Sequence, residues 1–345
     1  MVGCWKRFLS SRHSSEVSGV SRVLEADAAA IREAAAILRR GGLVAFPTET
    51  VYGLGADAEN ETAMRALFAA KGRPADHPVI VHLAEAAQVD DFAAEVPAAA
   101  QKLVAAFWPG PMTLVLRRSG RISDLVTGGL QTVGLRVPGH PVAHALLKEF
   151  GGPIAAPSAN RFGRVSCMRA EHVAEELGDR VDLVLDGGEC DVGIESTIID
   201  VSCERPAILR PGAVTAEEVA AVLKAPVASA SSFSPRVPGS LASHYAPEAR
   251  VELVAEADLL SRARQLQSGE EKVAVIGRVV TGEADRGIVL LAAPEGDEGL
   301  AHSLYGLLRR ADELGCDVVV TATPSEQGLG LAIADRLRRA AGPRR

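Results

Sequence analysis

The 345-residue chain is poor in aromatic residues, at 4%, and carries only six lysines against 31 arginines. Its five cysteines, Cys4, Cys167, Cys190, Cys203 and Cys316, are odd in number and contain no CxxC pair. That argues against a disulfide framework or a zinc site and fits a reducing compartment. No apolar run approaches the roughly 18 residues a membrane span needs. Positive charge is in deficit, with a net charge of −7. Such a chain is poorly suited to gripping nucleic acid over its whole surface, which still leaves room for a local basic pocket. There is no GxxxxGK[ST] phosphate loop, no GxGxxG in the first part of the chain, no GxSxG elbow and no HExxH. These absences remove the common phosphate-loop, dinucleotide, serine-hydrolase and zinc-peptidase readings.

What is present is a globular chain. A hydrophobic fraction of 47% supplies a sizeable core, and the length suits two domains. Residues 1–20 are short of acid and rich in Ser and Arg, as transit peptides are, but the simpler reading is a disordered extension of a cytoplasmic protein. DAAAIREAAAILRRGG predicts a helix capped by Asp27, and NETAMRALFAAKG a second capped by Asn60. LVAF, VIVHL, MTLVLR, VGLRV, PIAA, VDLVLD and STIIDV predict strands, with helices over 97–107, 141–149, 169–178 and 215–223. Strands alternating with helices point to a layered α/β domain over 21–223. Residues 224–247 are rich in Pro, Ser and Ala without a period and read as a linker that ends on His244 and Tyr245. A new αβ pattern over 248–345 predicts a small Rossmann-like αβα domain, in which no catalytic constellation stands out.

Six segments share one design, an apolar strand meeting a tight turn that carries Ser, Thr, Lys or Arg. They are FPTETVYGLG with Thr50, KGRPADHP with Lys71, Arg73 and His77, VGLRVPGHP with Arg136, APSANRFGRVS with Ser158, Asn160 and Ser166, GIESTIIDV with Ser196, and ILRPGAV with Arg210. Ligands of open α/β sheets bind at such strand ends. Pro74 argues against a helix continuing through Arg73, so two cations sit on an irregular segment. Arg136 inside an apolar strand calls for a partner or a cleft. Together the cations suggest a ligand with more than one negative group. His82, taken alone, reads as a core histidine. No nucleophile and no carboxylate cluster for a protein-only metal cage stands out; a nucleotide would bring its own magnesium.

In order along residues 25–345, these segments together with FWPGPMTLVL and the linker's PGSLASHYAP resemble the YrdC-type threonylcarbamoyl-AMP synthases, in the form with an extra C-terminal domain. The resemblance implies a twisted mixed sheet with helices and a large open pocket. It also implies a reaction, in which L-threonine, bicarbonate and ATP give L-threonylcarbamoyl-AMP, with pyrophosphate and water released. A transferase complex then passes the threonylcarbamoyl group to tRNA. By this resemblance Thr50, His82, Arg136 and Ser196 match threonine-side positions. Arg73, His77, Thr132, Ser158, Ser166 and Arg210 match ATP-side positions, and Lys71 and Asn160 complete a KxR–SxN tetrad with Arg73 and Ser158. Magnesium would travel with ATP, and His244 or Tyr245 would close the pocket as the linker folds over it.

The chain departs from the family pattern at His77, where asparagine is common, at Cys167, where proline is common, and in the missing basic residues before HYAP. Residues 248–345, without a catalytic constellation, are expected to serve a structural or regulatory role, and two other readings of the first domain compete. An RNA-binding module using a basic concave face is opposed by the net charge and by the lack of aromatic and basic residues interleaved on a strand. A carbamoyl-adenylate domain of the hydrogenase-maturation type would bring zinc-finger cysteines, and there is no CxxC.

Overall fold

The computed structural model describes residues 22–232, 234–278 and 285–343. The expectation for residues 1–20 lies outside them. The first domain is built on one long mixed sheet. Its strands are β1 (Val23–Glu25), β2 (Val44–Phe46), β3 (Gly53–Asp57), β4 (Ile80–His82), β5 (Met112–Arg117), β6 (Thr132–Arg136), β7 (Ile154–Ala155), β8 (Leu183–Asp186), β9 (Thr197–Asp200), β10 (Ala207–Arg210) and β11 (Ala228–Ser229). They lie in the order β1-β8-β2-β3-β7-β4-β6-β5-β9-β10-β11. Around them are helices α1 (Ala28–Arg39), α2 (Glu61–Lys71), α3 (Val89–Phe92), α4 (Ala98–Phe107), α5 (Asp124–Thr127), α6 (Pro141–Phe150), α7 (Ala170–Leu177) and α8 (Ala216–Leu223).

Local chemistry sets the helix ends that matter for the pocket. Asp27 accepts the amides of Ala29 and Ala30 at 2.8 Å, and Asn60 accepts those of Thr62 and Ala63 at 3.0 and 3.2 Å. Each cap is worth about 1 kcal/mol. The Asn60 cap fixes where α2 begins, and Gly72 ends it in the left-handed region. Lys71 is therefore the last helical residue and Arg73 the first beyond the turn.

Two stretches differ from expectation. The end of FPTETVYGLG was expected as part of a turn, but from Gly53 it is strand β3, paired antiparallel with both β2 and β7. Part of the linker is sheet, because Ala228 and Ser229 add a parallel edge strand to β10.

The second domain holds β12 (Arg250–Leu253), β13 (Val273–Gly277), β14 (Ile288–Ala292) and β15 (Val318–Thr321), all parallel, in the order β12-β15-β13-β14. Its helices are α9 (Leu259–Gln267), α10 (Gly296–Glu313) and α11 (Leu329–Ala340). This is the Rossmann-like layering expected from the sequence. α10 and α11 lie against the first domain. His302 meets the Asp191 carbonyl at 2.9 Å, Arg309 donates to the Val165 carbonyl at 2.7 Å, and Arg336 donates to the Pro211 carbonyl at 2.9 Å. The core is continuous across this junction, with Tyr245 of the linker and Tyr305 of α10 both buried in it.

Candidate active site

The strand ends converge on one pocket. Thr48, Thr50, Arg73, His82, Arg136, Ser158, Glu195, Ser196 and Arg210 line it from the first domain, and Pro238, Gly239, His244 and Tyr245 from the linker. With the linker in place the cavity is about 50 Å³, well below the roughly 300–1,000 Å³ of a small-molecule site. The linker residues thus narrow the pocket that was expected to be large and open.

On one side, parallel register sets His82 of β4 beside Arg136 of β6. The Arg136 guanidinium pairs with Glu49 at 2.8 Å, donates to the Thr50 hydroxyl at 3.1 and 3.2 Å, and reaches the Gly110 carbonyl at 3.2 Å. The charged group inside an apolar strand is therefore both paired and at a cleft. Burial would raise the Glu49 carboxyl, but Arg136 holds it below its ordinary value. Burial, and then the Arg136 charge, push the His82 imidazole down to about 3, so it is neutral near pH 7. Ser196 completes this wall, with its hydroxyl 2.8 Å from that of Thr113.

A cationic wall adjoins it at Ser196. Arg210 donates to the Ser196 carbonyl at 2.9 and 3.1 Å, to the Ser196 hydroxyl at 3.1 Å, and to the Pro238 carbonyl of the linker at 3.0 Å. Arg73 donates to the Pro78 carbonyl at 2.7 Å, and its guanidinium carbon lies 5.5 Å from the centre of the Phe162 ring. Behind this wall the Lys71 ammonium donates to the Ser158 carbonyl at 2.5 Å and to the Asn160 carbonyl. Burial, then the neighbouring Arg73, bring Lys71 down to about 7. Asn160 donates its amide to the Arg161 and Arg164 carbonyls at 2.8 and 2.9 Å. The four residues of the KxR–SxN pattern thus form one structural unit, with Arg73 and Ser158 at the pocket and Lys71 and Asn160 supporting it.

The structure places three other expected residues outside this lining. Thr132 lies in an adjoining cleft that shares Ile80 and Pro238 with the pocket. The Ser166 hydroxyl is buried and donates to Glu195 at 2.6 Å. The His77 ring packs edge-on against Phe162, with centroids 5.3 Å apart.

The linker enters the pocket by a narrow fit. Gly239 has φ +80°, and a Cβ built there would stand 2.2 Å from the Tyr245 hydroxyl. Tyr245 itself adopts φ 60°, an unusual state for a bulky residue. Its ring stacks on Tyr305 with centroids 5.8 Å apart and touches His244. Four lining residues keep a buried polar atom with no protein partner: Arg73 Nε, His82 Nδ1, His244 Nδ1 and the Tyr245 hydroxyl. Buried polar groups are nearly always satisfied, so such a cluster marks a place built for ligand groups.

Sequence reasoning did not single out Thr48, and gave Glu195 no partner. Nor did it connect Arg336 and Tyr305 of the second domain with the pocket, although both bond the Glu195 carboxylate at 2.8 Å. The available signal was an arginine on the apolar face of the last helix.

Residues 36–212 match the family model described as telomere recombination (Sua5, YciO and YrdC), and residues 214–342 match the model of the threonylcarbamoyl-AMP synthase C-terminal domain. The chain belongs to the threonylcarbamoyl-AMP synthase family, in its two-domain form. It is 43% identical to the threonylcarbamoyl-AMP synthase of Pyrococcus abyssi, over 91% of this chain and 94% of that one. It is 40% identical to the enzyme of that name from Bacillus subtilis, over 91% and 93%. The crystal structure of P. abyssi Sua5 complexed with L-threonine is similar over 93% of this chain and 97% of that one, with a TM-score of 0.86 and 39% identity. A P. abyssi Sua5 variant with an adjacent histidine and tyrosine changed to alanine is similar at a TM-score of 0.87, with 38% identity over 93% and 96%. The junction between the two family models falls just before α8, yet α8 packs on α4 of the first domain.

Proposed function

We propose that this chain makes L-threonylcarbamoyl-AMP from L-threonine, bicarbonate and ATP, releasing pyrophosphate, as the first step of threonylcarbamoyladenosine formation in tRNA. One observation carries the reading. Two neutral imidazoles, the hydroxyls of Thr48, Thr50, Ser158 and Ser196, and the buried cations Arg73, Arg136 and Arg210 line one pocket in a member of this family, with polar atoms left over for ligand groups.

The amine of threonine combines with bicarbonate to give a carbamate, with loss of water. The carbamate oxygen attacks the α-phosphorus of ATP, and pyrophosphate leaves. No protein nucleophile is required. The work is to hold two anions together and stabilise charge on the leaving group, and such alignment supplies up to about 7–11 kcal/mol of barrier reduction. Arg136, oriented by Glu49, takes the α-carboxylate. Thr50, Ser196 and the neutral His82 receive the polar groups of threonine. Arg73 and Arg210 face the phosphates, and Lys71, held behind them by the Ser158 and Asn160 carbonyls, adds its charge to that wall. Ser166, Thr132 and His77 border the nucleotide side, and His244 and Tyr245 close over it, which keeps water from a labile product.

Among the described residues no group of His, Cys, Asp or Glu side chains is arranged to hold a metal. Glu195, the carboxylate in the lining, has both oxygens hydrogen-bonded. This donor set fits magnesium held by the phosphates of ATP, where it would neutralise their charge. The product passes to a tRNA threonylcarbamoyl transferase complex, so tRNA is met only indirectly. The RNA-binding reading finds no support at the site, where Arg73, Arg136 and Arg210 of the pocket and Lys71 behind it are only 3–7% exposed. We read residues 21–223 as the catalytic domain, 224–247 as the linker and 248–345 as the C-terminal domain, in a cytoplasmic protein. No helix among the described residues is long and apolar enough to cross a membrane.

The test is pyrophosphate release from ATP with threonine and bicarbonate each left out in turn. Release that needs both is expected. Release that needs neither would identify an ATP hydrolase and overturn the reading.

A further inference from the structure

The second domain reaches the pocket through one carboxylate. Glu195 is 6% exposed and stands beside Ser196 at the opening of β9. Its Oε1 accepts the Ser166 hydroxyl at 2.6 Å. Its Oε2 accepts the Tyr305 hydroxyl of α10 and the Arg336 Nε of α11, both at 2.8 Å. Half of this pocket carboxylate is therefore held by the first domain and half by the second. The same two residues hold the linker, since the Tyr245 ring stacks on Tyr305 and lies 5.2 Å from the Arg336 guanidinium carbon.

A buried ion pair is a poor device for stability alone, because apolar residues of similar volume serve as well. Arg336 is nonetheless 1% exposed, and its partner lines the pocket. Burial would raise the Glu195 carboxyl, yet Arg336 and Arg210 together bring it down to about 2. If Arg336 is removed, Arg210 becomes the main cation acting on Glu195. Arg210 presently holds Ser196 and the Pro238 carbonyl of the linker. Drawing it toward Glu195 would release both.

We propose that Arg336 and Tyr305 are positioning residues of the adenylation site, which hold Glu195 and Tyr245 from the C-terminal domain and so keep Ser166, Arg210 and the linker in place around the nucleotide. This deepens the reading above and rests on it only for the identity of the ligand.

The test uses the full chain and two readouts. Hydrogen exchange of the ligand-free protein reports the linker, and steady-state pyrophosphate release reports the site. Arg336→Met is expected to speed amide exchange across 238–246 by about tenfold or more. It is also expected to raise the KM for ATP by about tenfold or more, with the KM for threonine within about threefold of wild type. Arg336→Lys, which keeps the charge, should recover part of both. Tyr305→Phe removes one hydrogen bond, keeps the stacked ring and folds more safely; it should move both readouts the same way by about three- to fivefold. Unchanged linker exchange in both variants overturns the proposal. So does exchange that rises equally through 250–278 and 285–343, which would make Arg336 a packing residue only. An inactive wild-type chain would sink the adenylation reading, and linker exchange would still decide the positioning claim.

Discussion

Binding of ATP should draw a proton onto Lys71. Its ammonium is buried behind the cationic wall, and desolvation followed by repulsion from Arg73 lowers it from 10.5 to about 7. That difference corresponds to about 5 kcal/mol set against the charged form. A polyphosphate placed beside it favours the charged form and reverses the shift. At about pH 8 the free protein holds a proton on about one-tenth of its Lys71 side chains, and the complex on nearly all. Binding then takes up most of one proton at Lys71. The sign follows from the direction of the shift. Lys71 is about half protonated near pH 7, so uptake fades only well below it, while above it the affinity for ATP falls with pH by up to about tenfold per unit. His82 and His244, both near 3, stay neutral throughout this range and add nothing. Titration calorimetry at about pH 8, in two buffers of different ionisation enthalpy, measures the uptake directly. Lys71→Met should abolish it. Binding without proton exchange, with a Kd independent of pH between about 7 and 9, would refute the placement of Lys71 beside the phosphates.

Arg136→Ala should raise the KM for threonine far more than that for ATP. It should also lower stability by about 3–5 kcal/mol, because Glu49 is left buried without its cation; melting and steady-state kinetics on one preparation check both. Gly239→Ala places a Cβ on the Tyr245 hydroxyl and should expel that ring from the pocket, raising the KM for ATP while the melting temperature changes by only a few degrees.

The long helices and buried strands were legible because their period and their caps agree, as at Asp27 and Asn60. Strand β3 was not. Its glycines read as a turn, yet a Cβ at Gly55 would stand 2.8 Å from the Phe46 ring and 3.0 Å from Ile154. Close packing between neighbouring strands, which no local pattern reports, is what requires glycine there. The short edge strand β11 carries no apolar signal, since both its residues are exposed. In the pocket, residues attached to strand ends were legible from the repeated pairing of an apolar run with a polar turn. The partners that tune them, Glu49 on Arg136 and Arg336 on Glu195, lie 87 and 141 positions away in sequence. Only the fold makes them neighbours.

The linker has two moorings on the first domain. Ala228 and Ser229 are woven into the sheet beside β10, and Ala246 forms a parallel bridge with Arg164. The stretch from 230 to 245 is thus a loop tied at both ends to the body it covers. Arg339 of α11 also holds it, bonding the Leu241 carbonyl and accepting the His244 amide, so opening this strap means breaking contacts with both domains. Release of a product the size of an adenylate would then be governed by how readily Tyr245 leaves its seat between Tyr305 and Arg336.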